Sequence, residues 1–276
     1  MSKSSAAPGA AVEIVDSHCH LDFPDFAGEE AAVVARARAA GVGRMVTICT
    51  RLRQEPQVRA LAEAHPSVFY AAGTHPMSAA EEPLATVADL VALARHPKMV
   101  AIGETGLDYH YSADSAAVQA ESLAIHIEAA RQTGLPLVIH ARAADADMAR
   151  ILTDAHRAGP FACVMHCFTS GAALAEAALS LGFYLSISGI ATFRSAEDLR
   201  AIFAAAPRDR LLVETDSPYL APQSHRGKRN EPAFVADTVR RMAPALGMEP
   251  DELAAVTTAN FDRLFAKAAA WTGGGV

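Results

Sequence analysis

Short runs rich in Val, Ile and Leu alternate with alanine- and leucine-rich stretches along nearly the whole chain. This alternation restricts the fold more than any other feature. Strand-like runs occur at Glu13–Asp16, Arg44–Cys49, Val68–Ala72, Met99–Ile102, Leu137–Ile139, Ala162–Met165, Phe183–Ile187 and Leu211–Val213. Between them, stretches such as Glu29–Ala40, Leu84–Arg95, Ala116–Thr133, Ala143–His156, Ala172–Leu181 and Ala196–Ala205 have helical periodicity. Several end at a glycine (Gly41, Gly134, Gly159 and Gly182) just before the next strand, where a helix stop is expected. Strand starts lie about 20–40 residues apart, the length of one strand–helix unit. Eight such units in strict alternation predict an α/β fold, the (β/α)8 or TIM barrel, with Pro232–Ala268 supplying the closing helices. A doubly wound open sheet is the runner-up, but no glycine-rich phosphate loop follows the first strand.

Six side chains able to hold a metal ion stand at the ends of these runs: His18, His20, Glu104, His140, His166 and Asp216. In a barrel that is the C-terminal face, where reacting groups gather. Residues i and i+2 of a strand point the same way, so His18 and His20 are expected to face one ion. Cys19 between them then faces the outer helices, and Asp16 is expected to brace a histidine from behind. Glu104 has two oxygens and can bridge two ions, with His140 and His166 serving the second. Strand 8 neighbours strand 1 in a closed ring, so Asp216 completes the first ion's set and can take a proton from water. Glu214 is a weaker candidate for orienting that water. For any one histidine a local hydrogen bond is the commoner role; five on one face, with His75, reverse the balance.

The chain has 276 residues, half of them apolar and one-fifth charged, enough for one large core. Its formal charge of −7 argues against a broad basic surface for gripping long nucleic acid, although bound cations would supply positive charge locally. The four cysteines, Cys19, Cys49, Cys163 and Cys167, form no C-x-x-C pair and suggest free thiols in a reducing compartment. No leader or membrane-spanning segment is legible, so a cytoplasmic location without membrane contact is expected. The expected organisation is a disordered tail over 1–11, one barrel domain over 12–268 and a flexible tail over 269–276.

The blocks VDSHCHLD, GTHP, AIGETGLDY, PLVIHAR, MHCFTS, SISGIATF, LLVETDSPYL and RGKRNEP, in this order, resemble the TatD-type metal-dependent deoxyribonucleases. The match runs from about Val15 to about Phe265. It implies a TIM barrel related to the amidohydrolases that hydrolyses phosphodiester bonds, often from 3′ or 5′ DNA ends. It also implies two divalent ions (Mg2+, Mn2+ or Zn2+) and no organic cofactor. By resemblance His18, His20 and Asp216 hold one ion, His140 and His166 hold the other, and Glu104 contacts both. The resemblance further assigns substrate contacts to His75, Arg142, Arg229 and Asn230. The basic loop His225–Asn230 fits that assignment by charge, and Phe193-Arg194 stands where the family usually has Phe-Lys. A monomer is the expected state.

Two other enzymes are compatible with this ligand set: a D-aminoacyl-tRNA deacylase, and a small-molecule amidohydrolase or lactonase. The second often uses a carboxylated lysine at the end of strand 4, where this chain has Glu104. A non-enzymatic metal-stabilised scaffold is disfavoured, because structural metal sites are usually closed and rich in cysteine.

Overall fold

The computed structural model describes residues 12–272; the expected tail 1–11 and residues 273–276 lie outside them. Eight parallel strands follow one another in chain order: β1 Ile14–Cys19, β2 Val42–Cys49, β3 Val68–Ala72, β4 Met99–Asp108, β5 Leu137–Arg142, β6 Cys163–Met165, β7 Tyr184–Ile187 and β8 Leu211–Val213. Helices alternate with them: α1 Glu30–Ala39, α2 Glu55–Ala64, α3 Val87–Leu93, α4 Ala116–Thr133, α5 Asp145–Ala158, α6 Ala172–Ser180 and α7 Glu197–Ala205. Three more close the chain, α8 Val235–Ala245, α9 Pro250–Leu264 and α10 Ala266–Ala269. The ring nearly closes where β1 meets the segment after β8. There the Asp216 amide donates to the His18 carbonyl at 2.9 Å and the His20 amide to the Ser217 carbonyl at 2.8 Å.

Local chemistry explains the element ends. Thr86 and Asp89 form a reciprocal capping box at the start of α3. Gly134 ends α4 in the left-handed region. Inside the barrel Val15, Val46, Phe69, Val138, Val164 and Leu212 pack against Phe261, Leu264 and Phe265 of the C-terminal helical segment, which plugs the N-terminal end. Trp271, in the described part of the expected C-terminal tail, rests edge-on against Phe69. A larger apolar layer, which includes Cys19, packs the strands against the outer helices. The inward columns begin apolar and end polar: Val138 is followed two residues on by His140, Val164 by His166, and Leu212 by Glu214. Plug and site thus occupy opposite ends of the same columns.

Strand β4 runs six residues beyond Ile102, where its apolar run ends. Its pairing with β5 continues through Thr105↔Ile139, Gly106↔His140 and Asp108↔Arg142 after a register shift spanning Gly103 and Glu104. Glycine permits this: Gly106 has φ +143°, and a Cβ there would lie 1.9 Å from the His140 carbonyl oxygen. Gly106→Ala is therefore expected to lower unfolding free energy by about 3 kcal/mol or more, measured by denaturant titration. Equal stability would mean that the β4–β5 contact is loose.

Candidate metal centre

Glu104 sits at the middle of the C-terminal face, inside a ring of imidazoles. Its Oε2 lies 3.5 Å from His18 Nε2; its Oε1 lies 2.7 Å from His166 Nε2, 3.2 Å from His140 Nδ1 and 3.4 Å from His75 Nε2. On the Oε2 side, His18 Nε2 and His20 Nε2 are 3.3 Å apart, and Asp216 Oδ1 is 3.6 and 3.3 Å from them. On the Oε1 side, His140 Nδ1 and His166 Nε2 are 3.4 Å apart. A tetrahedral ion with ligands at about 2.1 Å sets neighbouring donor atoms about 3.4 Å apart. The donor spacings on the Oε2 side, 3.3 to 3.6 Å, are those a divalent ion needs; on the Oε1 side the 2.7 Å between Glu104 and His166 is a direct hydrogen-bond distance that would widen around an ion.

Strand ends provide this convergence. His18 and His20 leave β1 through an irregularity in its pairing with β2 between Asp16 and Cys19. His166 follows β6 directly, and Asp216 follows β8 with φ 56°. Ala143, Cys167 and Leu220 also have positive φ, so among the described residues every non-glycine of this kind lies in the segments that follow β5, β6 or β8. Backbone held in this sparsely populated region commonly marks a functional site.

Hydrogen bonds behind the rings set which nitrogen faces the centre. His20 Nδ1 lies 3.3 Å from the Ile48 carbonyl, His140 Nε2 lies 3.0 Å from Asp108 Oδ2, and His166 Nδ1 lies 3.3 Å from Glu214 Oε1. Each partner accepts a proton from the outer nitrogen and leaves the inner one free to bind a cation. His75 is arranged differently. Its Nδ1 accepts from the Met77 amide at 3.2 Å, so the neutral ring carries its proton on Nε2 and is a donor toward the centre rather than a ligand. Burial pushes the His75 pKa down to about 3 against the pull of Glu104, which keeps that ring neutral.

Burial opposes ionisation of Glu104, but the charge on His166 and the hydrogen bonds from His140 and His166 outweigh it and hold the carboxyl well below the usual carboxylate range. Asp216 is held low in the same way: its bond to His20 and the nearby His166 and His18 rings outweigh burial. Glu104 and Glu214 raise His166 well above its ordinary value against burial. A centre that draws protons onto imidazole this strongly also draws divalent cations, and the two compete.

His126 of α4, an ordinary helix residue by sequence, supports this face. Its Nδ1 donates to the Ser122 carbonyl at 2.7 Å, and its Nε2 accepts from the Thr74 amide at 3.1 Å, one residue before His75. Burial lowers its pKa to about 4, although the bond to Ser122 opposes the shift. The unfolded chain therefore takes up a proton near pH 6.5 that the fold refuses until about pH 4. This contributes stability above pH 6.5 that is lost as pH falls toward 4. In chelator, the drop in unfolding free energy between pH 7 and pH 5 is expected to be about 2 kcal/mol smaller in His126→Gln than in the wild type, by denaturant titration. Identical slopes would refute the assignment.

Some expected residues are placed elsewhere. Arg229 lies outside the cleft: it donates to Glu29 Oε2 at 2.9 Å and to the Asp25 carbonyl, with its guanidinium over the Phe26 ring. Asn230 is buried and donates to the Thr215 and Tyr219 carbonyls at 2.9 and 2.6 Å. Both therefore fasten the loop that carries Asp216. Asp16 accepts from the Thr215 amide and hydroxyl and from the backbone of His18, not from an imidazole ring. Burial pushes its pKa up to about 8. Glu214 is fully buried behind His166 and does not open on the cleft.

Arg142 and His75 do line the cleft, which has a volume of about 720 Å³. Its mouth also holds Tyr111, Tyr219 and Met77, exposed by 59, 53 and 41 %; they are the only large exposed apolar side chains among the described residues. The Arg142 guanidinium lies 4.6 Å from the Tyr111 ring centroid. The brace Asp108 was detectable in principle: it shares strand parity with Glu104, provided the strand extends past the Gly103 shift.

A nearly closed (β/α)8 barrel with histidines and carboxylates converging at its strand ends defines the class of metal-dependent hydrolases. The chain belongs to the family described as TatD related DNase, which it matches over residues 15–266. It is 44 % identical over 255 residues to the uncharacterized metal-dependent hydrolase YcfH of Escherichia coli K12, covering 91 % of this chain and 95 % of that protein. It is 36 % identical over 261 residues to a protein of Erwinia tasmaniensis named 3′-5′ ssDNA/RNA exonuclease TatD, covering 91 and 98 %. The crystal structure of the TatD homolog YJJV from Escherichia coli K12 superposes with a TM-score of 0.86 at 30 % identity, covering 92 and 98 %. Among the described residues no helix is long and apolar enough to cross a membrane, and the four cysteines are free.

Proposed function

We propose that this chain is a deoxyribonuclease of the exonuclease type, hydrolysing phosphodiester bonds at 3′ or 5′ DNA ends with two divalent ions (Mg2+, Mn2+ or Zn2+). The observation that carries the reading is the division of Glu104. Oε2 faces His18, and His20 and Asp216 lie beside it; Oε1 faces His140 and His166. When bound, the ions would lower the pKa of water and set positive charge against the charge developing on the phosphoryl oxygens.

The remaining work falls to side chains. The Asp216 side chain is 14 % exposed and that of Glu104 only 2 %, so Asp216 is the carboxylate open to the cleft and Glu104 is the fixed one. Asp216 accepts the proton released as water oxygen bonds to phosphorus, and that proton returns to the leaving oxygen when the P–O bond breaks. His75 presents its Nε2 proton to a substrate oxygen, and Arg142 meets a backbone phosphate. Tyr219 and Tyr111, the latter with Arg142 against its ring, expose aromatic surface at the cleft mouth where unpaired bases can stack, as in single-strand sites. The name of the Erwinia relative supports a nucleic-acid substrate. The reading also places the chain in the cytoplasm as a monomer.

The test is a metal-screened assay on 3′- and 5′-labelled single- and double-stranded DNA, run beside a D-aminoacyl-tRNA and a panel of lactones. Release of nucleotides from a DNA end supports the proposal; turnover of only the other two substrates refutes it. Within that assay Arg142→Ala is expected to raise KM for DNA about tenfold with kcat changed less than about twofold, and to flatten the salt dependence by about one ion. An unchanged KM would remove Arg142 from the phosphate path.

A further inference from the structure

Each imidazole that holds a cation through one nitrogen carries its proton on the other, and in a buried site that N–H needs an acceptor. Three of the four proposed ligand histidines have one: Ile48 for His20, Asp108 for His140 and Glu214 for His166. His18 does not. Its Nδ1 is buried without a partner, and so is Oε2 of Glu214. The His18 and His166 rings stack in parallel, with centroids 3.9 Å apart and planes 10° apart, and both Nε2 atoms face Glu104. The His166 Nδ1 edge meets Glu214 Oε1, whereas the orphaned His18 Nδ1 and Glu214 Oε2 make no hydrogen bond to each other in this structure, so pairing them takes a small shift of one group. His18, His166 and Glu214 each offer an atom within 4.8 Å of the others.

We infer that Glu214 is a positioning residue shared by the two ion sites, accepting from His166 through Oε1 and from His18 through Oε2. The inference rests on the two-ion reading above. His18 belongs to one ion's set and His166 to the other's, so a single carboxyl group orients one ligand of each. The Cys167 amide donates to Glu214 Oε1 at 2.7 Å and fixes the carboxyl from a third side. Asp108, by contrast, braces only His140 and so serves one site.

This difference gives the test. Zn2+ would be titrated into chelator-treated wild type, Glu214→Gln and Asp108→Asn by calorimetry, with bound metal counted by elemental analysis and folding checked by circular dichroism. Glutamine keeps one acceptor oxygen and replaces the other with a donor, so both histidines cannot be served. Glu214→Gln is expected to weaken both binding steps about tenfold or more, whereas Asp108→Asn weakens one. The wild type provides a second measurement that needs no variant. In the Zn2+-loaded protein, long-range 1H–15N spectra of the histidine rings are expected to show protons on Nδ1 of both His18 and His166. Wild-type affinities in Glu214→Gln, loss of one step only, or a His18 ring without an Nδ1 proton would overturn the inference while leaving the two-ion reading intact. A wild type that binds a single ion would overturn the two-ion reading itself.

Discussion

Glu104→Ala is expected to abolish metal-dependent turnover, by about 10³-fold or more, while the barrel remains folded. The carboxyl group reaches both donor sets: its oxygens lie 3.5 Å from His18 and 2.7 Å from His166. On the proposed two-ion reading, removing it takes a ligand from each ion and leaves four imidazoles facing one another with their counter-charge gone. Affinity for both ions falls with the rate, because like charges within a few ångströms repel strongly in a buried site. The fold should survive because Glu104 packs among polar rings at one end of the barrel, whereas the apolar plug of Phe261, Leu264 and Phe265 lies at the other. Steady-state kinetics, bound metal per chain and a thermal melt in chelator decide the matter together. Full turnover in a variant that binds two ions would remove Glu104 from the mechanism.

The periodicity of the chain carried the barrel because its strands are short apolar runs separated by well-punctuated helices. The convergence of the site's polar side chains was legible for a related reason. An inward column that starts as Val138 or Val164 must end in something polar where it reaches solvent, and a histidine at that position in several strands is a chemical signal. Parity failed where the backbone departs from regular pairing. The irregularity in β1 and the register shift in β4 break the two-residue alternation, so Asp16 braces backbone rather than a ring and Asp108 was not singled out. The basic loop misled for a different reason. Charge in a sequence does not say which way a side chain turns, and Arg229 turns toward Glu29 at the start of α1. The tautomer of His75, set by the Met77 amide, was beyond the reach of sequence because it depends on the 3-10 turn Pro76–Ser78 that follows.

Asp216→Asn is expected to lower kcat by about 10³-fold while two ions remain bound. Asparagine keeps an oxygen where Asp216 Oδ1 lies 3.3 Å from His20 Nε2, so the donor set loses charge but not its geometry. The substitution removes a carboxylate that opens on the cleft and can take a proton from water. Without metal, the bond to His20 and the nearby His166 and His18 rings hold that carboxyl below the usual range against burial, so it enters the site ionised. The asparagine variant has no such acceptor, so its residual rate should rise with pH as hydroxide replaces base-assisted water, over a range in which the wild-type rate is flat. Two outcomes separate ligand from base. Loss of one ion together with activity would make Asp216 a ligand only, whereas retention of both ions with a rate that climbs with pH would assign it the proton transfer as well. Unchanged kcat with both ions bound would exclude it from the chemistry and leave the deprotonation to another group on the cleft wall.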